Sequence, residues 1–156
     1  MDVPRTLGGH DIFRSLTVEE VNQVSSFAAM RKLQKDELVF EIDSRSTHVY
    51  MLIKGGINLR LPAKDQDFNL VISQVKAGEL FGLSPLLGST KYTTTAQCTA
   101  PTEVLSIEAK PFEALLKGNL HVGQEVMRQV ANIYITRYIE LLMRLSGVMS
   151  QVASAR

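Results

Sequence analysis

The stretch from His48 to Leu61 restricts the fold more than any other. His48-Val49-Tyr50-Met51-Leu52-Ile53-Lys54 is an apolar run of strand length, and Ile57-Asn58-Leu59-Arg60-Leu61 alternates apolar with polar. Gly55-Gly56 turns one into the other, as in a β-hairpin. Similar short runs flank this pair. Leu38-Val39-Phe40 follows a Lys35-Asp36 turn, and the polar loop Asp43-Ser44-Arg45-Ser46-Thr47 leads on to His48. Leu70 to Val75 pairs back after a charged hairpin loop, Pro62 to Asn69, whose tip Lys64-Asp65-Gln66-Asp67 reads as solvated. Tyr92 to Cys98 and Glu103 to Ile107 are the last two strands, split by Thr99-Ala100-Pro101. So many short strands joined by turns predict a closed or sandwich β-structure.

Helical patterns bracket the strands. Residues 1–9 read as a flexible lead-in, and His10 to Leu16 suits a short helix. Thr17-Val18-Glu19-Glu20 matches a capping box, with Val18, Val21, Val24 and Phe27 on one apolar face. After Glu108 the chain turns helical again. Pro111 stands near the start of a short helix that Gly118-Asn119 ends. A long helix is expected from about His121 to about Ser146. Met127, Val130, Tyr134, Tyr138, Leu141 and Leu145 recur at steps of three and four, and Val122, Val126, Ile133, Ile139 and Leu142 form a second stripe beside them. A face this wide calls for two partners. One is the chain's own β-domain. The other is expected to be the same helix of a second copy, which makes the first six residues the dimer seam of a homodimer. The alternative is that both stripes are covered within one chain. The expected organisation is a lead-in over 1–9, a domain over 10–118, and a dimerisation helix with tail over 119–156.

Composition excludes several function classes. Net charge is +1, which gives no basic face for non-specific DNA binding. Cys98 is the single cysteine, so no intrachain disulfide and no self-contained cysteine-ligated metal site can form. His10, His48 and His121 lack metal-ligand spacing, and no nucleophile–base set or P-loop is present. No cofactor, metal or catalytic residue is expected. No run approaches the roughly 18 apolar residues of a membrane span, and Met1 to Arg5 lacks a signal-peptide pattern. The expected setting is cytoplasmic, with no membrane partner.

One stretch remains as a candidate site. Gly78 to Cys98 reads as a strand end, a Gly turn, a short helical turn, a polar loop and a strand. Ser84-Pro85 suits an N-cap followed by proline at the first helical position. Free backbone N–H groups converge at such a start and can hold an anion.

The order of these elements resembles the cyclic nucleotide-binding domain, in the variant found in the sensor halves of catabolite-activator and FNR-type regulators. The resemblance spans about residues 10 to 146. It rests on Leu38-Val39-Phe40 through Tyr50-Met51-Leu52-Ile53-Lys54-Gly55, and on Leu86-Leu87 after Phe81-Gly82. Two turn glycines of the family are replaced by Asp36 and Asp43, which tolerate left-handed geometry. The fold this implies is mainly β with flanking helices: a jelly-roll β-barrel, N-terminal helices and a long C-terminal helix.

The resemblance also implies a phosphate-binding cassette, in which a glutamate accepts from the ribose 2′-hydroxyl and an arginine pairs with the cyclic phosphate. Leu83 stands at the glutamate position and Tyr92 at the arginine position, with Pro85 on an alanine and Lys91 on a proline. Leucine cannot accept a hydrogen bond and tyrosine carries no charge, so binding of cyclic AMP or cyclic GMP in the family's manner is not expected. Gly82, Leu83, Ser84, Lys91, Tyr92 and Thr93 are the candidate residues for another small anion or polar ligand. Glu79 is not expected to replace the missing glutamate. Family transcription factors carry a helix-turn-helix after the long helix. Gly147 to Arg156 is too short for one, so direct DNA binding is not expected. The resulting expectation is a non-enzymatic regulatory domain that signals through a dimerising helix. The alternatives are a structural dimerisation or protein-interaction module with a filled pocket and, more remotely, a small β-barrel enzyme.

Overall fold

The computed structural model describes residues 2–62 and 69–155. The mixed-charge tip Lys64 to Asp67 lies outside them. Helix α1 (Val3–Gly8), a 3₁₀ turn (Asp11–Phe13) and α2 (Val18–Ser26) precede the strands. Strands β1 (Ala28–Leu33), β2 (Leu38–Phe40), β3 (His48–Lys54), β4 (Ile57–Pro62), β5 (Asn69–Val75) and β6 (Leu80–Phe81) lead to a second 3₁₀ turn, Ser84–Leu87. Then follow β7 (Thr95–Cys98), β8 (Thr102–Glu108), α3 (Ala109–Gly118) and α4 (Leu120–Ser154). The strands form two four-stranded sheets, ordered β1-β8-β3-β6 and β2-β7-β4-β5, and every pairing is antiparallel. This is the expected jelly-roll sandwich with N-terminal helices and a long C-terminal helix.

The apolar run of β3 has a direct explanation. Tyr50 and Leu52 point between the two sheets, whereas Val49 and Met51 point outward into a second core shared with the helices. Alternate residues of a strand face opposite sides, and here both sides are covered. β8 behaves likewise, with Val104 inside the sandwich and Leu105 and Ile107 under the helices. The helical core adds Leu7, Phe13, Phe112, Val122, Val126 and Val130. Each buried side chain of this size contributes about 1.5–3 kcal/mol relative to exposure.

The helix caps form one network. Thr17 Oγ1 accepts from the Glu20 N–H at 3.2 Å, and Glu20 Oε1 accepts from the Thr17 N–H at 3.2 Å, completing the expected capping box. The same carboxylate reaches across the sequence, where Glu20 Oε2 accepts from Asn119 Nδ2 at 2.8 Å. Asn119 Oδ1 in turn caps α4 by accepting from the Val122 N–H at 3.2 Å. These hydrogen bonds hold the Glu20 carboxyl below its usual range, the Thr17 backbone contributing most. Asp36 and Asp43 adopt positive φ, 72° and 66°, as turn positions in place of glycine require.

Several local expectations change. The lead-in is not free: α1 has proline in its first turn, and Leu7 is 0% exposed in the helical core. Only Asp11–Phe13 of the expected His10–Leu16 helix is helical, as a 3₁₀ turn anchored by buried Ile12 and Phe13. Val18 is 79% exposed because it opens α2 on the solvent side, leaving Val24 as that helix's buried residue. The strand expected from Tyr92 begins at Thr95. α4 continues to Ser154, through Gly147, where a side chain would meet nothing within 4 Å.

Leu7→Ala is expected to lower stability by about 2–5 kcal/mol, because it opens a cavity under α1. Urea unfolding of the full chain measures this, and an unchanged midpoint would mean that α1 is only a lead-in.

Candidate ligand pocket

The stretch from Gly78 to Cys98 is held against β3 and β2 by backbone and ring contacts. Gly78 N–H donates to Leu52 O at 2.7 Å, and Leu52 N–H donates to Glu79 O at 3.1 Å. Gly82 then turns with φ +65°; a Cβ there would meet Phe40 Cε1 at 2.9 Å and Tyr50 Cδ2 at 3.0 Å. Both the backbone conformation and the close rings therefore require glycine. Further on, Asp43 N–H donates to Tyr92 O at 2.9 Å and Tyr92 N–H to Ser44 O at 3.0 Å.

Tyr92 fixes the far end of this stretch. Its ring stacks on Phe40 with centroids 4.0 Å apart and planes inclined by 15°. Its hydroxyl donates to His48 O at 2.7 Å and accepts from the His48 N–H at 3.2 Å. The residue is 3% exposed, and burial pushes its phenol well above the usual range. Phe40, Tyr50, Phe81 and Tyr92 together make a stacked aromatic cluster inside the sandwich.

A cavity of about 260 Å³ remains between this cluster and α4. Gly82, Leu83, Ser84, Tyr92 and Thr93, five of the six expected site residues, line it, with Phe40, Leu59, Ile72 and Thr94. Lys91 does not. It is exposed, and its backbone bridges Arg45. Ser84 is buried but does not cap the 3₁₀ turn; Leu83 holds the cap position and no side-chain cap bond forms. Glu79 stays outside, its Oε2 accepting from the Lys76 N–H at 3.0 Å.

The fourth wall comes from α4, through Tyr134, Arg137, Tyr138 and Leu141. These positions recur at steps of three, one and three, so one face of the helix closes the cavity. Three of them were expected on a dimer seam, and a fourth expected seam residue, Val130, is 2% exposed inside its own chain. Its surface is already used by the helical core. Arg137 was not expected at all, because a charged residue between apolar stripes reads as solvated. Burial lowers its pKa, and its Nη2 is sealed from solvent without a hydrogen-bond partner. Arg144, two turns further on the same face, donates from Nη1 to Val71 O at 2.9 Å and Ile72 O at 3.4 Å, tying α4 to the edge strand β5.

Cys98 is buried, and burial raises its thiol pKa. His48 Nδ1 lies 2.8 Å from Thr47 Oγ1, a local contact outside the cavity. Among the described residues no cluster of three metal-ligating side chains occurs, and no helix is long and apolar enough to cross a membrane.

Residues 30–119 match the sequence pattern of the family described as Cyclic nucleotide-binding domain. No curated protein sequence matches the chain. Among solved structures it is similar to a protein from Geobacter metallireducens GS-15 assigned to the cyclic nucleotide-binding proteins. That match has 25% identity and a TM-score of 0.74, over 88% of this chain and 99% of that one. The sensor domain of the transcriptional regulator DNR from Pseudomonas aeruginosa is 16% identical, with a TM-score of 0.72 over 83% of this chain and 91% of that one. The c-di-GMP-responsive global regulator CLP from Xanthomonas campestris is 15% identical, with a TM-score of 0.71 over 81% and 61%. At such identities the last two establish a shared fold.

Tyr92→Phe is expected to cost about 1–2 kcal/mol, since it leaves part-buried His48 backbone groups without this partner. The raised phenol also has a consequence at high pH. Its stabilisation is complete below about pH 10 and is lost as pH rises beyond that. Urea unfolding between neutral and alkaline pH should therefore show a smaller alkaline loss in Tyr92→Phe than in the parent chain.

Proposed function

The chain belongs to the cyclic nucleotide-binding domain family, and we propose from that premise that it is a non-enzymatic regulatory domain that senses something other than a cyclic nucleotide. Tyr92 carries this reading. If it stands at the position of the phosphate-pairing arginine, it offers no charge, and its hydroxyl is already engaged by His48. Leu83, at the position of the ribose-binding glutamate, is buried and apolar. A cyclic nucleotide placed there would lose its phosphate and ribose partners, with unpaired polar groups on both sides.

The output proposed for this domain is the packing of α4. Beyond Val130 the helix carries an exposed apolar line, Ile135, Tyr138, Leu142, Leu145, Met149 and Val152. The steps alternate between three and four, the spacing of a coiled-coil seam. An apolar strip this long on one chain suits a second copy related by a two-fold axis. In this reading the seam keeps Tyr138 and Leu145 of the stripe expected from sequence and takes Ile135 and Leu142 in place of Tyr134 and Leu141. Met127 and Leu145 stay on the surface, while Tyr134 and Leu141 turn towards the pocket.

Calorimetry is expected to show no micromolar binding of cyclic AMP or cyclic GMP; micromolar binding of either overturns the ligand half of this proposal. Light scattering is expected to find a dimer for the full chain, and a monomer of unchanged helix content for the double variant Leu142→Glu, Leu145→Glu. A parent chain that stays monomeric at high concentration overturns the output half.

A further inference from the structure

Arg137 stands where two cavities meet. On one side is the 260 Å³ cavity behind Tyr92, and on the other a polar cleft of about 550 Å³ along α4. Its guanidinium carbon lies 6.0 Å from the centroid of the Tyr134 ring, close enough for a cation–π contact. Its Nη2 is sealed from solvent and has no hydrogen-bond partner. Among the described residues no carboxylate lies within 4 Å of it. Glu79 and Glu140 act on it only at longer range.

A guanidinium does not shed its proton in a protein. The residue is half-buried, but its Nη2 is sealed with an unused N–H, and the desolvation of that group is uncompensated. A ligand anion would supply the missing acceptor. The two cavities differ in which anion they suit. The larger cleft is also lined by Asp11, Glu79 and Glu140, which repel one. In the smaller cavity Arg137 is the single charged residue among the described ones that line it, and Phe40, Leu59, Ile72 and Leu141 give it apolar wall beside the hydroxyls of Ser84, Thr93 and Thr94.

We infer that the smaller cavity binds a small monocarboxylate with an aromatic or branched apolar body, its carboxylate paired with Arg137 and its body against Phe40 and Leu59. One fork of guanidinium N–H groups matches one carboxylate. The volume falls near the lower end of ligand sites, about 300 Å³, which suits a single ring or a short branched chain. A phosphate dianion would bring more charge than the one arginine among the described lining residues offsets. This inference rests on the sensor reading above and names its ligand class. It also gives that ligand a route to the output, since Arg137 lies on α4 between Tyr134 and Tyr138.

The test uses the full chain with benzoate, phenylacetate and 3-methylbutyrate as probes, benzamide as the uncharged counterpart of benzoate, and inorganic phosphate. Calorimetry and thermal unfolding are expected to register at least one carboxylate and neither benzamide nor phosphate. Arg137→Gln is expected to weaken carboxylate binding about ten- to a hundredfold. Its melting temperature without ligand should be unchanged or higher, which a purely structural arginine would not give. Arg137→Lys, which keeps the charge without the fork, should retain part of the binding. Arg128→Gln, an exposed charge on the same helix paired with Glu125, should retain all of it. Equal binding of benzamide, full carboxylate binding by Arg137→Gln, or a response to phosphate alone overturns the inference. So does silence from all three carboxylates, whereas the sensor reading is decided separately by the cyclic nucleotide titration and the light scattering.

Discussion

The stack of Tyr92 on Phe40, with the Tyr92 hydroxyl closed on the His48 backbone, is the contact on which the candidate site depends. It joins three segments far apart in sequence: the end of β2, the start of β3 and the approach to β7. Gly82 is required beneath the same rings because a side chain there would run into Phe40 and Tyr50. The turn after β6 and the residue at position 92 are thus adjusted to one aromatic cluster. The cluster fills the inner part of the sandwich and leaves the outer part, under α4, as a cavity. A pocket can therefore be partly filled by side chains and still hold space for a smaller ligand.

Much of the sandwich could be read from the sequence because period and turn chemistry are local. The unbroken run at His48 to Lys54 is the plainest case. Both faces of β3 are buried, one between the sheets and one under the helices, so no alternation appears. The aspartates at positions 36 and 43 were legible for a similar reason, since few residue types other than glycine enter left-handed turns readily. The capping box could be read from four residues, but its extension to Asn119 could not. A hydrogen bond spanning 99 positions has no local pattern. α1 was missed because a six-residue helix has too few turns for a period to show. Its stability comes from Leu7, whose burial is a tertiary fact.

α4 shows the same limit in a different form. Its sequence has two apolar stripes, and periodicity cannot say which stripe meets which partner. The helix passes three environments along its length. Val122, Val126 and Val130 enter the helical core, Tyr134, Arg137, Tyr138 and Leu141 face the cavity, and the residues beyond lie largely exposed. A single heptad assignment over the whole helix therefore mixes core, pocket and surface positions. Gly147 would ordinarily argue for a stop, yet a glycine inside a helix costs only about 1 kcal/mol, less than the intact helical hydrogen bonds around it contribute together.

The five pocket residues near Gly82 and Tyr92 were legible because they are close in sequence and sit at a turn. Arg137 was hidden because it follows by some 45 positions and occupies the polar sector of an amphipathic helix, where the expectation is solvent. Its environment is set by the distance between α4 and β5, which Arg144 holds through the Val71 and Ile72 carbonyls. Those bonds use backbone acceptors on an edge strand, so any sequence at Val71 and Ile72 would have served, and no side-chain signal marks the docking. The consequence for the site is electrostatic. With tyrosine at position 92 and arginine at position 137, an anion's counter-charge in this cavity would come from the helix. The binding energy of a ligand would then act on α4 directly, with no need to be relayed through the cassette turn. The ligand-free state leaves one sealed guanidinium N–H without an acceptor, and a carboxylate would supply it at the helix whose packing is the proposed output.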